Sequence, residues 1–482
     1  MQKLLNKYNA FPLQVKASFW FLICAFLQKG ISFITTPIFT RLMSTAEYGQ
    51  YNVFTSWMSI LSVIVTLNLF SGVYTRGLVT FENKKKEFSS SFQGLTLTLV
   101  IIWTVIYWSF HSMWNKTFDL TTIQMLLMFL TIWCNAVFSF WSVEQRVDLK
   151  YKSLVIITVL SSLAKPIAGI IFVLYAEDKV TARILGVTLV EVVCYTGFFF
   201  LQLKRGKKFF SKTVWKHALS FNIPLIPHYL SSSVLNSADR IMIRSMVGES
   251  EAGIYSLAYS ISMIMVMFNT ALMQTIEPWM YKKIRDNEVE DISHVAYPSF
   301  ILIAAVNLTL IAIAPEAVAF FAPEEYYEAI YVIPPIALSV FFMFSYTFFA
   351  VFEFYFQKTH FVAIATSAGA VLNIILNYIF INIFGYYAAG YTTLFCYIIY
   401  AAMHYIFMRK ICREYLNGLH PYNIKNHLGI IVVFLGLGFY LLFTYSRIWL
   451  RYLLIAVLMM LLFVKRQTVI EEIKKLLFAR KK

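Results

Sequence analysis

Five ionisable side chains lie well inside stretches that are otherwise apolar: Lys29, Lys165, Glu191 and the adjacent Asp239 and Arg240. An ionisable group at the middle of a bilayer costs at least about 2.5–3.5 kcal/mol on insertion scales, so each of these residues is a functional candidate. Three positive charges against two negative ones leave the interior net positive. Lys29, Lys165 and Arg240 therefore read as a cationic lining for an anionic substrate in a water-filled cavity, with Glu191 and Asp239 as candidates for coupling or helix pairing. A purely structural reading is open beside it, in which Lys165 pairs with Glu191 on an antiparallel neighbour and Asp239 pairs with Arg240 or Arg244. Lys29 has no acid in its own apolar stretch, which favours a ligand-binding role. Arg451 lies near enough to the end of the last stretch to snorkel.

The elements that must position these residues are membrane-spanning helices. A hydrocarbon core about 30 Å thick needs roughly 20 apolar residues of helix. Fourteen stretches qualify, at approximately 17–39, 50–73, 93–111, 120–141, 153–175, 181–203, 219–243, 254–277, 296–314, 330–352, 361–383, 386–408, 428–446 and 448–464. A mean hydropathy of +0.66, with 59% hydrophobic and 14% charged residues, excludes an ordinary soluble domain. Lys and Arg cluster in the two tails and in every second gap, as at Arg76/Lys84/Lys85/Lys86, Arg146/Lys150/Lys152 and Lys204/Arg205/Lys207/Lys208. Positive residues are retained on the cytoplasmic side, so both termini are expected in the cytoplasm of a multi-pass protein. The net charge of +16 follows from that bias and from contact with anionic headgroups of membrane lipids, and calls for no nucleic acid.

Five scattered cysteines show no paired spacing, and there is neither a phosphate-cradling Gly-rich lysine motif nor His-Glu-x-x-His. No metal, cofactor or ATP-driven motor is expected. The first span carries no cleavage signal and reads as a permanent helix. The longest connecting segments, 74–92, 204–218, 278–295 and 409–427, are too short for a soluble domain.

Ser44-Thr-Ala-Glu-Tyr-Gly-Gln-Tyr51 aligns with Gly248-Glu-Ser-Glu-Ala-Gly-Ile-Tyr255 at an offset of 204 residues, matching Glu47, Gly49 and Tyr51 to Glu251, Gly253 and Tyr255. Six helices separate the two copies, and an even number preserves orientation, so the repeat is parallel, as in transporters with a central path between two halves. The expected fold is all-α: a six-helix half at 1–218, a second six-helix half at 219–408, and a loop, two further helices and a basic tail at 409–482. Pro37, Pro166, Pro224 and Pro227 lie within or at the ends of spans, where a missing N–H permits a bend, and are hinge candidates.

The segment Lys29-Gly-Ile-Ser-Phe-Ile-Thr-Thr-Pro-Ile-Phe-Thr-Arg-Leu-Met-Ser-Thr-Ala-Glu-Tyr-Gly-Gln-Tyr51 resembles the first helix and loop of Wzx-type polysaccharide flippases. Leu219-Ser-Phe-Asn-Ile-Pro-Leu-Ile-Pro227, Ala238-Asp-Arg-Ile-Met-Ile243 and Gly253-Ile-Tyr255 resemble the start of their second half. These flippases belong to the multidrug/oligosaccharidyl-lipid/polysaccharide exporter superfamily. The resemblance implies a transporter and no enzyme. Its substrate would be an undecaprenyl-diphosphate-linked oligosaccharide, moved by alternating access from the inner to the outer leaflet of the bacterial cytoplasmic (inner) membrane for surface polysaccharide such as O-antigen or capsule. It also implies a cavity between helices 1–6 and 7–12, peripheral helices 13 and 14, and polysaccharide polymerase and chain-length proteins as partners. A positive interior suits a diphosphate. Two alternatives stand beside this reading. An ion-coupled multidrug or cation antiporter of the same superfamily should line its cavity with acids, and a membrane polysaccharide polymerase usually carries a large outward loop.

Overall fold

The computed structural model describes residues 13–464, which are helical, with short connections and no strand among the described residues. They divide into two compact units, one ending at Arg244 and the other beginning at Ser245.

The first unit contains α1 (Leu13–Leu42), α2 (Thr45–Thr66), α3 (Val73–Thr80), α4 (Lys85–Ser109), α5 (His111–Phe118), α6 (Thr122–Val147), α7 (Tyr151–Tyr175), α8 (Lys179–Gly206), α9 (Lys212–Asn222) and α10 (Ile226–Met246), whose last turn crosses the division. Side chains set several helix starts. Ser44 and Glu47 form a capping box at α2, Thr121 and Gln124 another at α6, and the Asp178 carboxylate accepts the Thr181 N–H at α8; each satisfies a donor that the helix cannot. The short helices α3 and α9 close one end of the unit over a core of Leu69, Tyr74, Phe88, Phe92, Phe140 and Ala218.

The second unit contains α11 (Glu249–Ser262), α12 (Ile264–Arg285), α13 (Ile292–Ala312), α14 (Ala314–Phe321), α15 (Ile333–Tyr355), α16 (Thr359–Phe384), α17 (Ala388–Tyr415), α18 (Ile424–Phe443) and α19 (Ile448–Val464). Its post is α15, whose Phe341, Phe344 and Phe348 surround Phe300 of α13 with ring centroids 5.0–6.2 Å apart.

Eleven helices among the described residues are long and apolar enough to cross a membrane. The other three expected spans coincide with α2, α10 and α19. The first two are diluted by polar residues: Asn52, Thr55, Ser56, Ser59 and Ser62 in α2, and Ser231, Ser232, Ser233, Asn236, Ser237, Asp239 and Arg240 in α10. The third is only 17 residues long. The expected span at 254–277 lies within a helical run of 37 residues, interrupted at Met263. At 1.5 Å per residue that run is about 55 Å long, so it outreaches a hydrocarbon core of about 30 Å. The expected span at 219–243 is also divided: α9 ends at Asn222, a 3-10 turn covers Ile223–Leu225, and α10 restarts at Ile226. Pro224 and Pro227 lack the N–H groups that a continuous helix would need there. Pro37 and Pro166, by contrast, are carried inside α1 and α7.

Ile156, Leu160, Leu163, Ile167, Ile171 and Leu174 form an exposed apolar stripe along α7, at the spacing of one helix face. A stripe of that length suits contact with lipid rather than water. The opposite business of α7 is with α8, and Gly186 sets the distance between them: a Cβ there would lie 2.9 Å from backbone atoms of Ala168 and Gly169. Small residues at such crossings let membrane helices approach closely. Gly186→Leu is expected to destabilise the protein by about 1–3 kcal/mol through overpacking, read as a lower thermal unfolding midpoint of the purified protein; an unchanged midpoint would show that the close crossing is dispensable.

Candidate functional site

Lys165 on α7 and Glu191 on α8 meet beside that crossing, with Nζ 2.5 Å from Oε1. Glu191 is 2% exposed, whereas the Lys165 side chain keeps 26% of its surface open. One turn along each helix the contact is repeated, because residues four apart share a face. Tyr195, four residues after Glu191, donates its hydroxyl to the Ser161 Oγ (3.0 Å), four residues before Lys165, and its ring lies 5.2 Å from the Lys165 ammonium.

The same helix α8 carries a column of uncharged polar side chains at sevenfold spacing, Thr181, Thr188, Tyr195 and Gln202. Gln124 of α6 donates to Thr181 (2.9 Å), and Thr131 of α6 bonds Thr188 (2.8 Å). Gln202 accepts from Gln93 of α4 (2.7 Å) and donates to Glu144 of α6 (2.6 Å). Buried polar groups in an apolar medium must be satisfied by each other, and this column does so while registering α4, α6 and α7 on α8. Its signal in the sequence is the i, i+7 recurrence of hydrogen-bonding residues within one apolar span.

Lys29 on α1 is exposed. Among the described residues, no acidic side chain lies within ion-pair distance of it. Arg240 on α10 reaches α2, with Nη1 3.3 Å from the Ser56 Oγ and 3.4 Å from the Asn236 carbonyl. Its neighbour Asp239 is buried. Arg244, one turn on, pairs with Asp119 at the end of α5 (2.7 Å). The three cations of the sequence-derived set thus lie on three different helices of the first unit, and Lys165 is the one engaged with Glu191. Arg451 does not snorkel: it is buried and pairs with Glu316 of α14, which also accepts from Tyr452 (2.5 Å).

The repeated motif at Ser44–Tyr51 has a structural use. The Arg183 guanidinium from α8 lies between the rings of Phe39 (3.7 Å) and Tyr51 (3.6 Å), and the Lys179 ammonium bonds the Leu42 carbonyl (2.8 Å). Cation–π contacts and the capping box together pin the turn between α1 and α2, which anchors the end of the helix that carries Lys29. At the other end of the unit Asp148 ties α4 to α6. Burial pushes its carboxyl up, but hydrogen bonds from Lys85 and Lys150 outweigh this and hold it below the usual carboxylate range. Among the described residues, no group of three or more His, Cys, Asp or Glu side chains is placed to hold a metal ion.

Solved structures share this fold. The inward closed conformation of the lipid II flippase MurJ superposes with a TM-score of 0.67 at 14% identity, over 90% of this chain and 99% of that one. An inward-facing multidrug resistance MATE family transporter of the MOP superfamily gives 0.59 at 14% identity, over 80% and 95%. The fold of this multi-pass chain is the one those two membrane proteins share. Residues 15–284, more than half of the sequence, match the family described as polysaccharide biosynthesis protein, and the chain belongs to that family. Residues 224–379 also match the MatE family. An uncharacterized membrane protein of Haemophilus influenzae is 21% identical over 352 residues, which is 72% of this chain and 85% of that protein.

Proposed function

We propose that this protein flips an undecaprenyl-diphosphate-linked oligosaccharide from the inner to the outer leaflet of the bacterial cytoplasmic membrane, for surface polysaccharide biosynthesis. The observation that carries the reading is Lys29, a cation on an apolar helix that no acidic side chain among the described residues neutralises. A diphosphate is the ligand that such a group serves: an ammonium binds phosphate oxygens as a compact point charge, through charge-assisted hydrogen bonds. Lys165 keeps a quarter of its side chain open and Arg240 extends from α10 to Ser56 of α2; both are proposed to add to the same anionic preference, while Glu191 and Asp239 serve helix pairing or ion coupling. Membership of the polysaccharide biosynthesis family supports a glycan-linked lipid as cargo.

In this reading the chain crosses the membrane fourteen times, the less apolar α2 and α10 being spans whose polar faces serve the transport path, and both termini are cytoplasmic. The halves are proposed at 1–218 and 219–408, with 409–482 as an appendage. The proline-interrupted segment between α9 and α10 is proposed as a bending point in alternating access, with Pro37 and Pro166 as softer ones. Polysaccharide polymerase and chain-length proteins are the proposed partners on the receiving side.

The multidrug reading, with which the MatE match is compatible, predicts the opposite charge preference. Purified protein is expected to be thermally stabilised by undecaprenyl diphosphate in a concentration-dependent manner, since a ligand that binds only the folded state stabilises by mass action, and to show no shift with cationic dyes. Stabilisation by the dyes alone would move the assignment to a cation exporter.

A further inference from the structure

The second unit encloses a titratable pair that has no part in the cationic set. Glu353, in the last turn of α15, and His404, within α17, both have 0% side-chain exposure, and the His404 Nδ1 lies 2.7 Å from the Glu353 Oε1. The remaining atom of each, Glu353 Oε2 and His404 Nε2, is buried without a hydrogen-bond partner among the described residues. Tyr346 stacks on the imidazole at 5.3 Å between ring centroids, and Tyr400 meets it edge-on at 4.5 Å. The Tyr400 hydroxyl is itself 3.2 Å from the Thr366 Oγ1 of α16.

Other titratable groups stand around the pair on every packed element. Tyr346 comes from α15, Tyr400 from α17 and His360 from the start of α16. From α13 and α18, Tyr297 and His427 turn to the rings of Phe300 and Phe349. From α12, Tyr281 donates to Glu277 (3.0 Å). Helix α11 meets the opposite end of α15, at Ile333. None of these is a permanently charged group bonded to the pair.

Burial decides the charge of the enclosed state. With two protons, one in the Nδ1–Oε1 bond and one on Nε2 or Oε2, the pair is neutral. With one proton it carries a net negative charge, which a site out of contact with water strongly disfavours. The two atoms without a hydrogen-bond partner among the described residues are the landing places for that second proton.

We infer that Glu353 and His404 form a proton-binding site, which loads and unloads one proton when the site opens to water and carries it while closed. Loading moves a proton from hydronium to the His404 Nε2, leaving water and taking the pair from one negative charge to neutral; unloading returns the proton to water from the same atom. In a chain without an ATP motif, and on the reading that it moves a lipid diphosphate, proton movement through this pair supplies the driving force.

Proton uptake and release by the full-length protein in detergent are to be followed by acid–base titration beside Glu353→Gln/His404→Gln. The double variant removes both charges together and so leaves no uncompensated one. Wild type is expected to exchange about one proton per chain more than the double variant; superimposable curves would overturn the site. A second measurement needs only wild type to fold: proteoliposomes carrying a fluorescent undecaprenyl diphosphate, with an impermeant quencher reporting its leaflet. A gradient of about one pH unit is a tenfold ratio of proton activity, and transfer is expected to change by up to about tenfold with it. Transfer indifferent to the gradient would overturn proton coupling while leaving lipid transport standing. A positive titration with no lipid transfer at all would uphold the proton site and count against the lipid reading.

Discussion

Replacing Lys29 with alanine is expected to abolish complementation of a flippase-deficient strain while leaving the amount of protein in the membrane near that of wild type. The reason lies in what surrounds the residue. No acidic side chain among the described residues pairs with Lys29, so its removal leaves no orphaned counter-charge and the fold loses little. What is lost is a charge-assisted contact to phosphate, worth about 1.5–3 kcal/mol or roughly ten- to a hundredfold in affinity for undecaprenyl diphosphate. Lys29→Arg keeps the charge but replaces a point charge with a planar fork, and is expected to retain part of the activity. Full complementation by Lys29→Ala, with unchanged lipid affinity, would reduce Lys29 to a tolerated polar residue.

The second large effect belongs to the Lys165–Glu191 pair, and it should be asymmetric. Breaking a buried ion pair typically costs about 3–5 kcal/mol, because one charge is left uncompensated. Lys165→Met strands the Glu191 carboxylate, which is 2% exposed. Glu191→Gln strands an ammonium whose side chain is 26% exposed and whose flexible stem lets it reach polar surroundings. Lys165→Met should therefore lower the unfolding midpoint more than Glu191→Gln, and the double variant should recover most of the loss. Equal losses, or a double variant worse than either single one, would contradict a pairing role. Normal stability of Lys165→Met with failed transport would place Lys165 on the substrate path instead.

What the sequence made legible follows from which signals are strong in hydrocarbon. Charges inside apolar stretches stand out, so Lys165 and Glu191 could be matched across antiparallel neighbours before any coordinates. Uncharged partners do not stand out: Thr181, Thr188, Tyr195 and Gln202 each weigh little in an insertion argument, although together they register α8 on three helices. Pro224 and Pro227 announced a weak point in the seventh stretch, yet only the structure divides it into α9, a 3-10 turn and α10. The polarity of α2 and α10, which removes them from the eleven clearly apolar helices, was present in their serines and asparagines but outweighed by the apolar residues between them. Glu353 lies one residue past the expected span at 330–352, and its buried partner His404 is 51 residues on, a distance that no local pattern bridges. The Ser44–Tyr51 repeat was visible as a repeat, but its work as a cap and a cation–π platform requires Arg183 from a helix far along the chain.

If this protein carries a lipid-linked diphosphate from one leaflet to the other, as proposed, the transfer must be seen in a defined bilayer. Vesicles containing the purified full-length chain and a fluorescent undecaprenyl diphosphate should make the probe accessible to an impermeant quencher faster than protein-free vesicles. The excess should disappear in Lys29→Ala and should be competed by unlabelled lipid diphosphate but not by cationic dyes. Transfer no faster than in protein-free vesicles, from protein that instead moves the cationic dyes, would contradict the account.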